Sequence, residues 1–209
     1  GGGGGGGGRW VVGGCLLLVG VGGVVSASGD PLKMGERISN GAVLIEQGVV
    51  TACHRKLLLP TYDVFDEDRY FHGAERPGVM EFHDLRVGVT ICEDIWTAPF
   101  VDTRHRYTID PIECLVEEGI DLLLNLSASP WHCGKGSLRE KLVIDAASRC
   151  RCPVVFCNAI GGNDELIFDG HSMLANAEGS VFNGLHGFAE DLQVVDTKAP
   201  RPKLAPTFR

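Results

Sequence analysis

Short runs rich in Val, Ile and Leu alternate with segments of helical pattern through the middle of the chain, and that alternation constrains the fold most. Arg86–Cys92 is the cleanest such run, and Asp121–Asn125 and Val154–Asn158 repeat it. Between them, Ile112–Glu118, closed by Gly119, and Ser137–Ser148 carry helical spacing. Continuous apolar strands separated by helices need cover on both faces, so the class is α/β with a mainly buried sheet. Val43–Ile45 and Val49–Ala52, broken by Gln47-Gly48, read as a hairpin. His171–Ala175 and Gln193–Val195 are expected as further strands, with Gly179 in the turn between them.

Composition excludes several partners. The 209 residues suffice for one substantial core, and 44% apolar with 22% charged residues is ordinary for a globular protein. Nineteen Lys and Arg against 27 Asp and Glu give a net charge of −8, with no long basic run to attract nucleic acid or an anionic membrane. The eight cysteines are scattered through strand-like and apolar segments, which favours reduced thiols in the cytoplasm over a disulfide scaffold. Cys150-Arg151-Cys152 leaves one residue where zinc pairs leave about two to four, so no metal site is expected.

Residues 1–9 open with eight glycines and are set aside as a low-complexity leader. Val11–Val25 is fifteen residues long with five glycines, short of the roughly 20 apolar residues that span a bilayer. Arg9 before it and Ser26-Ala27-Ser28 after it would suit a signal-peptide core, but a buried strand feeding the domain is the preferred reading. Residues 10–197 are expected to form the domain. Residues 198–209, with three prolines, read as a tail or linker.

Cys92 stands where a buried strand runs out into Glu93-Asp94. A thiol on such a strand-to-helix turn points out of the sheet edge beside free backbone N–H groups, which suits a nucleophile with an oxyanion site. Two adjoining carboxylates would raise its pKa, so an active Cys92 needs a cation from elsewhere. Lys56, at a strand end before Leu57-Leu58-Leu59-Pro60, is the candidate.

Four blocks in order give these residues a context. His54–Phe71, Gly88–Trp96, Asn125–His132 and Gly161–Gly170 resemble the lysine loop, nucleophile elbow and two further segments of the nitrilase-type (carbon–nitrogen hydrolase) glutaminase domain of glutamine-dependent NAD(+) synthetases. The resemblance runs from about Val43 to Val195. It implies an αββα sandwich with a Glu-Lys-Cys triad, in which Cys92 forms a thioester with L-glutamine and Lys56 stabilises thiolate and oxyanion. Glu67 matches an additional positioning glutamate; Tyr62, Phe65, Glu93, Ser129 and Lys135 match glutamine-binding positions. It also implies a homo-oligomer and a partner synthetase domain that uses ATP and Mg, the amidase itself needing no cofactor.

Two departures qualify this. Nothing before Val43 has the form of the family's general-base glutamate: Glu36 sits in a polar stretch and Glu46 beside the hairpin turn. The sandwich is therefore expected to be incomplete at its N-terminus. General-base catalysis is worth about 10² to 10⁴ in rate, so the chain is expected to be impaired. Second, Ile160-Gly161-Gly162-Asn163-Asp164-Glu165 lacks both serines of the synthetase domain's pyrophosphate loop, and Gly134-Lys135-Gly136-Ser137 is no Walker loop. The synthetase domain is expected to lie outside this chain. The alternatives are another linear amidase of the same fold, or a degenerate non-catalytic module.

Overall fold

The computed structural model describes residues 9–12, 16–25, 38–46, 48–82, 84–102 and 107–196. Twelve strands and two α-helices lie among them. The principal sheet has six strands: β5 (Gly78–Phe82), β6 (Leu85–Ile91), β7 (Leu122–Ser127), β8 (Val154–Asn158), β11 (Met173–Ala175) and β12 (Val181–Gly184). β6, β7 and β8 run parallel, and the flanking strands are antiparallel. Helix α1 (Pro111–Glu118) connects β6 to β7, and α2 (Lys135–Cys150) connects β7 to β8.

The α/β alternation read from the sequence is thus present, and its physical basis is visible in β7. Leu122, Leu124 and Leu126 face one side and Leu123 the other, all buried, because this strand is covered on both faces. On the Leu123 side, α1 and α2 bring Ile112, Leu115, Leu142, Val143 and Ala146 against Val154 and Phe156. On the other side, Val87, Val89 and Ile91 of β6 meet Ala42 and Leu44. These two belong to a second sheet, β1 (Arg9–Val12), β2 (Leu16–Val25), β3 (Ser39–Glu46) and β4 (Val49–Arg55), antiparallel throughout. The layers are helix, sheet, sheet. They build the α/β sandwich, with no helix among the described residues on the outer face of the second sheet.

Local signals end the elements where expected. The Asp110 carboxylate accepts from the N–H groups of Ile112 and Glu113 at the start of α1, Pro111 occupies its first position, and Gly119 (φ 68°) closes it. Gly88 faces α1 so closely that a Cβ there would lie 2.8 Å from Ile120 Cδ1 and 3.2 Å from Leu115 Cδ2. The β3–β4 hairpin turns at Gly48 (φ 81°), and Val11–Val25 lies in strands apart from the undescribed 13–15. Gly179 (φ 74°) sits in a turn as expected.

One expectation differs. Gln193–Val195 is not a strand: among the described residues it pairs with none, Val194 is fully exposed, and Val195 packs against the core between the sheets without joining either ladder. The strand after Gly179 is instead β12. The Gly161–Gly170 segment lies in a hairpin of β9 (Ile160–Asn163) and β10 (Leu166–Asp169). The glycine leader, Glu36 and the 198–209 tail lie outside the described residues. No helix among the described residues is long and apolar enough to cross a membrane.

Candidate active site

The parallel register makes β6, β7 and β8 finish at one edge: Ile91 pairs with Leu126, and Ser127 with Asn158. Cys92 opens a short 3₁₀ turn at that edge, Cys92–Ile95, with φ 45°. A β-substituted residue in the left-handed region is strained by about 1–3 kcal/mol, and such strain persists only where surrounding contacts fix it. This is the sharp strand-to-turn bend expected from the sequence. Cys92 is partly exposed, while Glu93 and Asp94 are buried.

Lys56 arrives from the second sheet, directly after β4. Its N–H donates to the Asn40 carbonyl (2.7 Å) and its own carbonyl accepts from Ala74 N–H (2.9 Å). The side chain is 2% exposed, and Nζ pairs with Glu67 Oε1 at 2.6 Å. Glu67 begins the 3₁₀ turn Glu67–Arg69, and its other oxygen accepts from Asn40 Nδ2 at 3.4 Å. Burial pulls the Lys56 pKa down, but the negative charge available at Cys92 and the charge and hydrogen bond of Glu67 outweigh it, so the net direction is up. The Cys92 thiol is itself pushed up, first by burial, then by Glu93 and Glu67, with Lys56 and Lys135 opposing. Lys56 is the largest influence favouring the thiolate.

Glu93 faces two phenols. Tyr62 Oη donates to its carboxylate at 2.8–2.9 Å and Tyr107 Oη at 3.0 Å. Burial raises the Glu93 pKa; the two phenolic hydrogen bonds work against that. Phe65 meets Tyr62 edge-on at 6.0 Å, so the two aromatics form one wall. Lys135 is the first residue of α2, with Nζ 5.2 Å from the Trp96 ring centre. Burial, then Arg139, lower its pKa. A cation at the positive end of a helix is unfavourable for the helix itself, which argues for a role toward an anion.

Ser129 sits differently from its expected neighbours. It is buried, its N–H donates to Asn158 Oδ1 (2.9 Å), and its hydroxyl accepts from Arg139 Nε (3.2 Å). Arg139 in turn pairs with Asp169 at 2.6 Å, both 1% exposed. Ser129 is thus part of a buried polar frame at the ends of β7 and β8. Sequence reasoning missed Tyr107, a lone tyrosine in a polar stretch, and it missed what Asp94 does. Asp94 Oδ1 accepts from the N–H groups of Leu57 (3.1 Å) and Leu58 (2.8 Å), and Oδ2 accepts from Ile91 N–H (2.9 Å).

The chain as a whole resembles known proteins. Residues 15–201 match the family described as Carbon-nitrogen hydrolase. The chain is 44% identical over 160 residues to a glutamine-dependent NAD(+) synthetase of Synechocystis sp., covering 77% of this chain and 29% of that protein. It is 40% identical over 158 residues to one from Thermotoga maritima, covering 75% and 26%. Among solved structures, the glutamine-dependent NAD+ synthetase of Acinetobacter baumannii, in complex with ADP, superposes with a TM-score of 0.67 at 32% identity, covering 77% of this chain and 28% of that one. The chain therefore spans less than a third of the length of each.

Proposed function

The chain belongs to the carbon–nitrogen hydrolase family, and on that premise we propose that it is the glutamine-hydrolysing part of a glutamine-dependent NAD(+) synthetase. In this reading residues 10–197 are the amidase domain and residues 198–209 lead toward a synthetase domain, which would use ATP and Mg and receive the ammonia. The amidase chemistry needs no cofactor. The setting is cytoplasmic, and the domain assembles as a homo-oligomer.

The observation that carries the reading is the buried Lys56 ammonium, paired with Glu67, whose charge favours the thiolate of a strained Cys92. Cys92 Sγ attacks the side-chain carbonyl carbon of L-glutamine, forming the C–S bond as its proton passes to the departing nitrogen. Collapse of the tetrahedral adduct breaks the C–N bond and releases ammonia; water then cleaves the thioester to glutamate and restores the thiol. Lys56 offsets the negative charge on sulfur and then on the oxyanion, where the Glu93 N–H is the second donor. Glu67 holds Lys56 in place. The Glu93 carboxylate takes the substrate ammonium, and the wall of Tyr62 and Phe65 excludes water. Lys135, with the N-terminal end of α2, takes the α-carboxylate, and Ser129 shapes the floor through Arg139. Glu93 and Glu67 are already engaged, so neither serves freely as general base, and turnover is expected to be slow.

Ammonia release from L-glutamine by the purified chain, beside Cys92→Ala, tests this. Slow release abolished in the variant is expected. Preference for an amide lacking the α-amino and carboxylate groups would sink the glutamine assignment in favour of another linear amidase. No turnover together with an unreactive Cys92 in a folded chain would favour a non-catalytic module.

A further inference from the structure

Lys56 and Cys92 belong to different sheets, and nothing in either sheet's own ladder sets the distance between them. Beside the Tyr62–Glu93 hydrogen bonds, the Asp94 side chain bridges that gap, and it does so backbone to backbone. The Asp94 carboxylate takes the Ile91 N–H on one oxygen, a local bond that closes the turn behind the nucleophile. Its other oxygen takes the two consecutive N–H groups that follow Lys56, those of Leu57 and Leu58, which lie outside any strand or helix. Asp94 is 2% exposed, and Leu57 and Leu58 are buried at 7% and 4%. With the Asn40 and Ala74 bonds at Lys56 itself, the backbone of residues 56–58 is held on every side.

We propose that Asp94 is a second positioning residue of this site, beside Glu67: its carboxylate pins the lysine loop to the nucleophile elbow and so sets the Lys56–Cys92 geometry. The inference rests on Cys92 and Lys56 acting as nucleophile and cation. A carboxylate is suited to this because both oxygens accept, three donors converge on it, and each charge-assisted bond is short and directional. An amide cannot replace it, since its Nδ2 would confront a donor, either Ile91 N–H or the Leu57 and Leu58 pair. Asp94 touches no reacting atom in this arrangement; it acts through the two that do.

Electrostatics alone predicts the opposite outcome from positioning. Removing a negative charge near the thiol would make the thiolate easier to form, so a purely electrostatic Asp94 would leave Asp94→Asn with a faster Cys92. Positioning predicts a slower one, because Lys56 drifts from the sulfur. The experiment is site-resolved iodoacetamide labelling of the intact chain at neutral pH, read by mass spectrometry. The exposed Cys53 and Cys133 serve as internal references. Scaled to both, the Cys92 labelling rate is expected to fall at least about tenfold in Asp94→Asn, as displacements of about 1 Å cost up to 10²-fold in reactive sites. An unchanged or accelerated Cys92 in a folded Asp94→Asn chain overturns the proposal.

Amide hydrogen exchange in the wild-type chain gives a second arm that needs no variant. Leu57 and Leu58 N–H groups should be protected as well as those of β6, and ordinary loop rates there would overturn the pin even if Asp94→Asn fails to fold. The two readings fail separately. A wild-type Cys92 that does not label refutes the nucleophile reading, while the protection of Leu57 and Leu58 still decides the pin.

Discussion

Asp94→Asn should also change how stability depends on pH, in a direction fixed by the buried carboxylate. Burial raises the Asp94 pKa from 3.8 to about 6, against the three N–H bonds and the Lys56 charge, which lower it. The folded state therefore holds the proton more tightly than the unfolded chain. Its stabilising contribution is complete below 3.8 and is lost as pH rises through about 6. That separation corresponds to about 3 kcal/mol, the burden of keeping the carboxylate ionised near neutrality. Asn removes this burden but strands at least one buried donor, at about 1–3 kcal/mol. The two nearly cancel at neutral pH, so the variant should be as stable as the wild type there while its Cys92 reacts more slowly. In acid the wild type regains the difference. Urea melts of both chains at a series of pH values measure this directly. The stability of the wild type minus that of Asp94→Asn should fall by about 3 kcal/mol from acid to neutral pH, mostly across the 3.8-to-6 window. A flat difference curve, or one that rises with pH, would refute the reasoning, because other carboxylates titrate alike in both chains.

Two further outcomes follow from packing. Arg139→Met should lower stability by about 3 kcal/mol in denaturant melts, because it removes the 2.6 Å ion pair of the 1% exposed Asp169 and leaves that carboxylate only His171 and Asn158. Gly88→Ala drives a methyl against the buried Ile120 and Leu115 side chains and should cost about 1–3 kcal/mol, read as a drop in Tm of about 2–4 °C for each kcal/mol. If Tm is unchanged, α1 does not sit as close to β6 as described.

What could be read in advance follows from burial. β6, β7 and β8 are covered on both faces and so consist of continuous apolar residues; α1 carries its cap and its stop within a few residues of its ends. β9 was not legible because all four of its residues, Ile160–Asn163, are exposed and show no period. Gln193–Val195 misled for another reason, since a short apolar run means a strand only where a sheet edge is there to pair with it. In the site, residue type and spacing singled out Cys92 and Lys56 as separate candidates, and only the resemblance joined them. The Asp94 bonds to Leu57 and Leu58 cross 37 and 36 positions of chain to backbone groups, which carry no residue-type signal at all. Tyr107 was invisible in the same way: its phenol matters because of where Glu93 is.

The seam between the two sheets has one more consequence. Ala42 is fully buried where β3 lies against Val87, Val89 and Ile91. Lys56 rides on one slab of this seam and Cys92 on the other, so a larger side chain at Ala42 would act as a shim, parting the pair while touching neither. The labelling rate of one thiol then becomes a gauge of inter-sheet spacing, and core substitutions that leave the fold intact can be ranked by how far they pry the slabs apart.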